Sequence, residues 1–199
     1  MAHEMKKKCV NCYRTYEVLP DRFTGSPLGL TDKAEGTKRR IHSLSFPADN
    51  PTFINGGIPE EYGTIKYSTI SAATTAIRNY GKGCLLIKRD FERAFRHIPV
   101  SPVDSPLLGF KWVGTFSSER FLPFGLRTAT YLVNLFAESF QWILADNLQS
   151  SGIVAQILHY LEDFLIIIPP SGNQLHCCSA FAKLTLEVGF SIKEAKNEQ

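Results

Sequence analysis

Residues 153–170 read IVAQILHYLEDFLIIIPP and contain two apolar runs. The runs cover residues 153–159 and 164–168, a short polar turn joins them, and two prolines follow the second. Apolar runs of strand length on either side of a polar turn are typical of a β-hairpin. The stretch therefore predicts two antiparallel strands with Glu162 and Asp163 in the turn between them.

The sequence on both sides of this hairpin completes a pattern of strands and helices. Thr128 is predicted to cap a helix with an apolar stripe at three- and four-residue spacing, and a second stripe runs from Leu175 to Gly189. A helix over residues 68–80, a strand leading into Asp90 and a hairpin turning near Gly114 come earlier. This order predicts an α+β fold, an antiparallel sheet backed by helices on one face with the other face free to carry a site.

Composition limits the class of protein. The 199 residues are 44% hydrophobic and 21% charged, which is enough apolar sequence for a sizeable core. The net charge of +3 permits nucleic-acid binding without requiring it. No apolar run could span a bilayer and no signal peptide precedes the chain, so we expect an intracellular protein of the nucleus or cytoplasm, neither secreted nor membrane-bound.

Residues 1–25 are polar and are predicted to form an irregular segment, whereas residues 26–60 are rich in glycine and proline and predict hairpins and loops. Cys9 and Cys12 form a CxxC pair, but no second pair follows at the spacing of a zinc site. Solvated or packed thiols are therefore favoured over metal ligands.

Three acidic residues lie at strand ends. Asp90 follows an apolar strand, and Glu162 and Asp163 occupy the hairpin turn. If the two strands are neighbours, the carboxylates converge, and converged carboxylates stay ionised only with a compensating charge nearby. Oxygen ligands suit Mg²⁺, and two such ions roughly 3.5–4 Å apart support phosphoryl transfer. Taken alone, the pattern favours solvated turns over a metal site.

Residues 26–170 resemble reverse transcriptases of retrotransposons, most closely the tyrosine-recombinase (DIRS-like) kind. Seven blocks carry the resemblance in the order of the family: residues 26–29 (SPLG), 39–45 (RRIHSLS), 55–59 (NGGIP), 88–95 (KRDFERAF), 107–110 (LLGF), 122–127 (LPFGLR) and 159–165 (HYLEDFL).

The resemblance implies a ferredoxin-like polymerase palm with a partial fingers lobe over residues 26–199. It implies an RNA-directed DNA polymerase that transfers nucleotides onto a primer 3′-hydroxyl with two Mg²⁺ ions, Mn²⁺ being the alternative. Its partners would be an RNA or DNA template with its primer and deoxynucleoside triphosphates; it names no protein partner. Asp90 falls on the first metal-binding aspartate of the family, Asp163 on the last aspartate of the Tyr-x-Asp-Asp turn, and Glu162 on the other.

The resemblance also implies contacts with the incoming nucleotide, assigned to Lys33, Arg39, Phe95, Phe124, Gly125 and Lys196. A bulky ring at Phe95 would clash with a 2′-hydroxyl and favour deoxynucleotides. Lys33 and Arg39 would meet the triphosphate, for which the guanidinium fork is well suited. The glycine would let backbone approach the substrate closely, and Lys196 would protonate the leaving pyrophosphate.

The chain departs from the family pattern at two positions. Glu162 stands where the family carries aspartate, and Ser43 stands where it usually carries an acid. The chain also stops at Gln199, before a thumb, which suggests a truncated copy of a mobile element. Two other functions therefore remain open: a catalytically inactive relic that binds nucleic acid, and an interaction protein with no nucleic-acid role.

Overall fold

The structure of the chain, a computed structural model, describes residues 9–13, 18–32, 36–47 and 53–193. The chain forms two compact units. Unit one comprises Met1–Thr64 and Phe95–Tyr131, and unit two comprises Ile65–Ala94 and Leu132–Gln199. Each unit takes its residues from two separate stretches of sequence, so neither could have been outlined as one continuous segment.

Unit one contains two antiparallel sheets. Five strands form them in the orders β1-β6-β5 and β2-β3: β1 (Val10–Tyr13), β2 (Leu28–Asp32), β3 (Lys38–His42), β5 (Gly109–Trp112) and β6 (Thr115–Glu119). Unit one also contains short 3₁₀ turns over Ile54–Gly57, Glu60–Gly63 and Ser105–Leu108. A fourth turn, Ala94–His97, spans the point where the chain passes from unit two into unit one.

Strand β1 lies within the segment predicted to be irregular, residues 1–25. It pairs antiparallel with β6, placing Val10 opposite Glu119 and Tyr13 opposite Phe116. Four residues are too few to show strand periodicity in the sequence. The strand exists because its backbone groups find partners about a hundred residues later in the chain, so it could not be predicted from local pattern.

Unit two contains the second three-stranded sheet, ordered β4-β8-β7. Its elements are α1 (Ile70–Tyr80), β4 (Leu85–Asp90), most of α2 (Arg127–Ser150), β7 (Gln156–Tyr160), β8 (Asp163–Ile168) and α3 (Gln174–Glu187). All strand pairs are antiparallel. The predicted α+β class is therefore confirmed, as an arrangement of antiparallel sheets and three described helices.

An aromatic cluster forms the core of unit two. The Phe91 ring contacts the rings of Phe140, Phe164, Phe181 and Phe190, with centroid distances of 5.0, 5.0, 5.9 and 5.0 Å. Each such pair contributes about 0.5–1.5 kcal/mol beyond the area it buries. Phe91 follows Asp90 directly and Phe164 follows Asp163, so the core holds both strands at the point where their acids lie.

Helix boundaries differ from the predictions by one or two residues, for identifiable reasons. Helix α1 begins at Ile70, because the Thr69 hydroxyl caps it by accepting from the Ala72 amide (3.1 Å). Helix α2 begins at Arg127 rather than after Thr128, because a distant side chain accepts from the Arg127 amide. Beyond α3, Ile192 forms a single antiparallel bridge with Phe91. None of the described helices is long and apolar enough to cross a membrane.

Candidate active site

Asp90 and Asp163 are direct cross-strand neighbours. They close the β4·β8 ladder as partners, while Tyr160 of β7 pairs with the same Asp163. Directly opposed residues of an antiparallel pair lie on the same face, with their Cβ atoms about 4.5–5.5 Å apart. The register therefore places two carboxylates, 73 positions apart in sequence, side by side.

The two faces of this sheet differ in exposure at the end where the acids lie. One face carries Ile87, Phe164 and Ile166, which are at most 3% exposed. The other face carries the two aspartates together with Tyr160, which is 53% exposed. Because side chains alternate along a strand, packing Phe164 inward turns Asp163 outward. Core packing thus determines which face of the sheet carries the acids.

The hairpin tip is tied to the end of β4. The Phe91 amide donates to the Glu162 carbonyl at 3.2 Å. Leu161, in the turn, has a φ of 53°, which is uncommon for a branched non-glycine residue. Such backbone costs of the order of 1–3 kcal/mol and persists only where its surroundings impose it. The Glu162–Asp163 tip is therefore held in one conformation relative to Asp90.

Two lysines partly compensate the acidic pair. Lys88 Nζ lies 3.2 Å from Asp163 Oδ1, and Lys193 Nζ lies 3.5 Å from Asp90 Oδ2. Both ammonium groups are more than half exposed, so each ion pair contributes little to stability. No sequence pattern singles out Lys88, because a lysine two positions before an acid is usually a solvated charge.

Asp90 has an incompletely satisfied carboxylate. Burial raises the pKa of its carboxyl above the ordinary value, the neighbouring Asp163 charge raises it further, and the two lysines oppose the rise. Its Oδ1 atom is buried and makes no hydrogen bond within the described part of the chain. A buried carboxylate oxygen without a donor is costly. A cation at this position would remove the cost.

These donors fit a hard divalent cation, since Mg²⁺ is commonly bound through one or two carboxylates and completes its shell with water and substrate phosphate. The predicted third ligand is not gathered with them. Among residues 9–13, 18–32, 36–47 and 53–193, no group of three or more His, Cys, Asp or Glu side chains is arranged to hold a metal ion. The structure thus pairs Asp90 with Asp163, while Glu162 as a metal ligand stays a prediction.

Unit one gathers most of the residues predicted to meet the nucleotide. The Phe124 ring contacts both the Phe95 ring, with 4.6 Å between the ring centroids, and the Arg39 guanidinium, whose Cζ atom lies 4.6 Å from the Phe124 centroid. Phe95 is 6% exposed. The structure thus brings Arg39, Phe124 and Phe95 into one stack, in which the ring orients the guanidinium by a cation–π contact.

Gly125 follows this stack and packs against the backbone of β3. A Cβ at this position would lie 1.9 Å from the His42 carbonyl oxygen, and its φ of 111° is one that other residues rarely adopt. The close backbone contact that Gly125 makes in the structure is with β3, and its predicted approach to the substrate stays a prediction. Lys33 and Lys196, the two remaining predicted residues, lie outside the described residues.

A buried charge cluster supports the same region and was missed at the level of sequence. Arg40 Nη2 and Arg96 Nη1 donate to the two carboxylate oxygens of Glu119, at 2.6 and 2.7 Å. Nearby, the His42 Nε2 donates to the Gly109 carbonyl at 3.1 Å, and burial lowers the pKa of His42 to about 4. His42 is therefore neutral at physiological pH, and the arginines have the carboxylate as their counter-charge.

Solved structures share this fold. The foamy viral protease–reverse transcriptase in complex with double-stranded DNA matches with a TM-score of 0.69 and 16% identity, over 96% of this chain and 28% of that one. A mutant Prototype Foamy Virus protease–reverse transcriptase matches with a TM-score of 0.63 and 18% identity, over 95% of this chain and 22% of that one. At these identities the likeness concerns the fold, and the chain spans less than a third of either relative. No curated protein matches the chain.

The fold is of the α+β class, and it places two carboxylates side by side at the ends of neighbouring strands. The sequence model of the family described as Reverse transcriptase (RNA-dependent DNA polymerase) matches residues 37–199, well over half of the chain. The chain therefore belongs to the reverse transcriptase family.

Proposed function

We propose that this chain is the palm and part of the fingers of a reverse transcriptase, and that it carries out RNA-directed nucleotidyl transfer onto a primer 3′-hydroxyl. The observation that carries the proposal is the cross-strand pair of Asp90 and Asp163, whose side chains are both partly exposed. The sequence blocks over residues 26–170 support a retrotransposon source, of the tyrosine-recombinase kind.

In this proposal Asp90 and Asp163 would hold the catalytic cations. When bound, two Mg²⁺ ions would activate the primer 3′-hydroxyl for attack and stabilise the charge on the leaving phosphate oxygen. Asp90 offers an oxygen that has no other donor, and Asp163 offers one now paired with Lys88. Glu162 would reach the same ions across one additional methylene.

The stack of unit one receives the nucleotide. Arg39 presents its guanidinium to the triphosphate, which it can bind through two parallel hydrogen bonds. Phe124 restricts the orientations of that guanidinium, and Phe95 restricts those of Phe124. Phe95 excludes a 2′-hydroxyl by its bulk, which gives preference to deoxynucleotides. The remaining partner is an RNA or DNA template with its annealed primer.

Primer extension tests the proposal. We expect the chain to extend an oligo(dT) primer on poly(rA) with dTTP and Mg²⁺, and Asp90→Asn to remove the activity, because the neutral amide does not replace a metal-binding carboxylate. Asp146→Asn, the same change at an exposed position of α2, is the matched control and should keep the activity.

Equal extension by wild type and Asp90→Asn would contradict the assignment. Salt-dependent binding of poly(rA)–oligo(dT) by a chain that never extends it would identify the alternative function, a nucleic-acid-binding relic.

A further inference from the structure

The loop of residues 122–127 is held from two sides within unit one. The His42 amide donates to the Phe124 carbonyl at 2.8 Å. The Asn55 side-chain Nδ2 donates to the Gly125 carbonyl, also at 2.8 Å. Two successive carbonyls of the loop are therefore fixed by two different segments, β3 and the 3₁₀ turn Ile54–Gly57. The Phe124 ring projects from the Cα atom that directly precedes these two anchored carbonyls.

The Asn55 side chain links three segments. It is 5% exposed, and besides Gly125 its Nδ2 donates to Ser45 Oγ at 2.8 Å, while its Oδ1 accepts from the Arg127 amide at 2.8 Å. Its own backbone amide donates to the Leu44 carbonyl at 3.0 Å, which fixes the turn that carries it. The side chain thus uses three of the four hydrogen bonds that an amide can make.

Helix capping does not explain why this residue is an asparagine. The Arg127 amide is one of the donors that a helix N-terminus leaves without a partner, and Oδ1 satisfies it. Aspartate caps a helix about as well as asparagine. Only the amide, however, can donate to the Gly125 carbonyl, because a carboxylate placed there would face an acceptor. The donor group of Asn55 therefore serves the loop rather than the helix.

We propose that Asn55 is a positioning residue for the incoming nucleotide: its Nδ2 group fixes the Phe124–Gly125 backbone so that the Arg39–Phe124–Phe95 stack is preformed. This rests on the proposed function, which assigns that stack to the nucleotide. Without the donor, the Gly125 carbonyl loses its anchor and the Phe124 ring shifts beneath Arg39. A displacement of about 1 Å at such a site can cost about a hundredfold.

Nucleotide affinity tests the proposal separately from catalysis. The full chain is mixed with poly(rA)–oligo(dT) ending in a dideoxynucleotide, Mg²⁺ and radiolabelled dTTP, and bound dTTP is measured at equilibrium. We expect Asn55→Ala and Asn55→Asp both to weaken dTTP binding at least about tenfold, as the lost anchor predicts. Hydrogen exchange at the Arg127 amide should rise in Asn55→Ala and stay slow in Asn55→Asp, which keeps the acceptor.

Asn134→Ala is the matched control. Asn134 is 4% exposed, and its Nδ2 donates to Glu138 Oε1 within α2 (2.8 Å), so this variant loses a buried asparagine that has no place in the proposal. It should lower Tm and keep wild-type dTTP affinity. Wild-type affinity in Asn55→Asp, or an equal loss in Asn134→Ala, would overturn the role of Asn55.

The two proposals fail in different ways. A wild-type chain that binds dTTP but never extends a primer argues against polymerase function, and the Asn55 variants still decide the positioning role. A wild-type chain that binds no dTTP overturns the role of Asn55 whatever the extension assay gives.

Discussion

Two acidic sites of the molecule each pair with two basic side chains, but they differ in burial and in hydrogen bonding. Glu119 of unit one is fully buried and receives Arg40 and Arg96 at 2.6 and 2.7 Å. Asp90 and Asp163 of unit two are partly exposed and meet lysines at 3.2 and 3.5 Å, and one Asp90 oxygen keeps no hydrogen bond. A carboxylate satisfied on both oxygens by fixed guanidinium groups is structural. A carboxylate that has one oxygen without a hydrogen bond, and whose ion pairs are with exposed lysines, can bind a metal ion.

The largest effect that separates the two sites is expected at Glu119. Glu119→Gln removes the counter-charge from two nearly buried guanidinium groups, and breaking a buried ion pair in this way costs about 3–5 kcal/mol. Urea unfolding would measure the loss. Asp163→Asn, the corresponding change at the exposed pair, should alter stability far less. Equal losses would mean that the two sites do not differ in kind.

Replacing Glu162 by the aspartate that the family carries tests whether the site around Asp90 and Asp163 binds metal ions. Glu162→Asp shortens the side chain by one methylene, and correcting a misplacement of roughly 1 Å could raise kcat about a hundredfold. Single-turnover extension measures the change. Glu187→Asp, at an exposed helical position, is the control for a shortened acid. If Glu162→Asp binds primer–template normally and shows no gain in kcat, then Glu162 has a structural role in the turn and does not bind the ions.

Lys88 should compete with the cation for Asp163. Lys88→Met removes a unit charge 3.2 Å from Oδ1, and one charge at about 4 Å contributes about 1 kcal/mol in water, equivalent to about fivefold in affinity. Titration with Mn²⁺, followed by electron paramagnetic resonance, should therefore show tighter binding. Lys111→Met changes a lysine of unit one and should leave the affinity unchanged. Weaker binding in Lys88→Met would show that the lysine helps to hold the site.

The smallest expected effect is the pH dependence of folding stability that arises from Asp90. Its pKa in the folded chain is raised by burial and by Asp163, so the ionised form is disfavoured by folding. This contribution favours the folded state below the ordinary value of 3.8 and is lost as pH rises through the raised pKa. Asp90→Asn should therefore stabilise the chain slightly at pH 7 and lose that advantage in acid. Thermal unfolding at both pH values checks the sign, and destabilisation at pH 7 would contradict it.

The parts of the fold that follow local pattern could be predicted. The 153–170 hairpin and the helices came from apolar runs and stripes, and the strand leading into Asp90 came with them. The register that sets Asp90 opposite Asp163 could not be predicted, because it depends on pairing between strands far apart in sequence. Glu119 and Asn55 were missed for the same reason. Neither residue type nor spacing indicates that an acid will meet two arginines or that an asparagine will bridge three segments.

Because Phe91 contacts rings on β8 and on two helices, and its amide is bound at the hairpin tip, unit two has few ways to open in part. Separation of β8 from β4 would expose the aromatic cluster and would also move the two aspartates apart. Protease cleavage within residues 156–168 should therefore occur only on global unfolding of the unit. The chemistry and the integrity of this half of the protein would be lost in a single cooperative event.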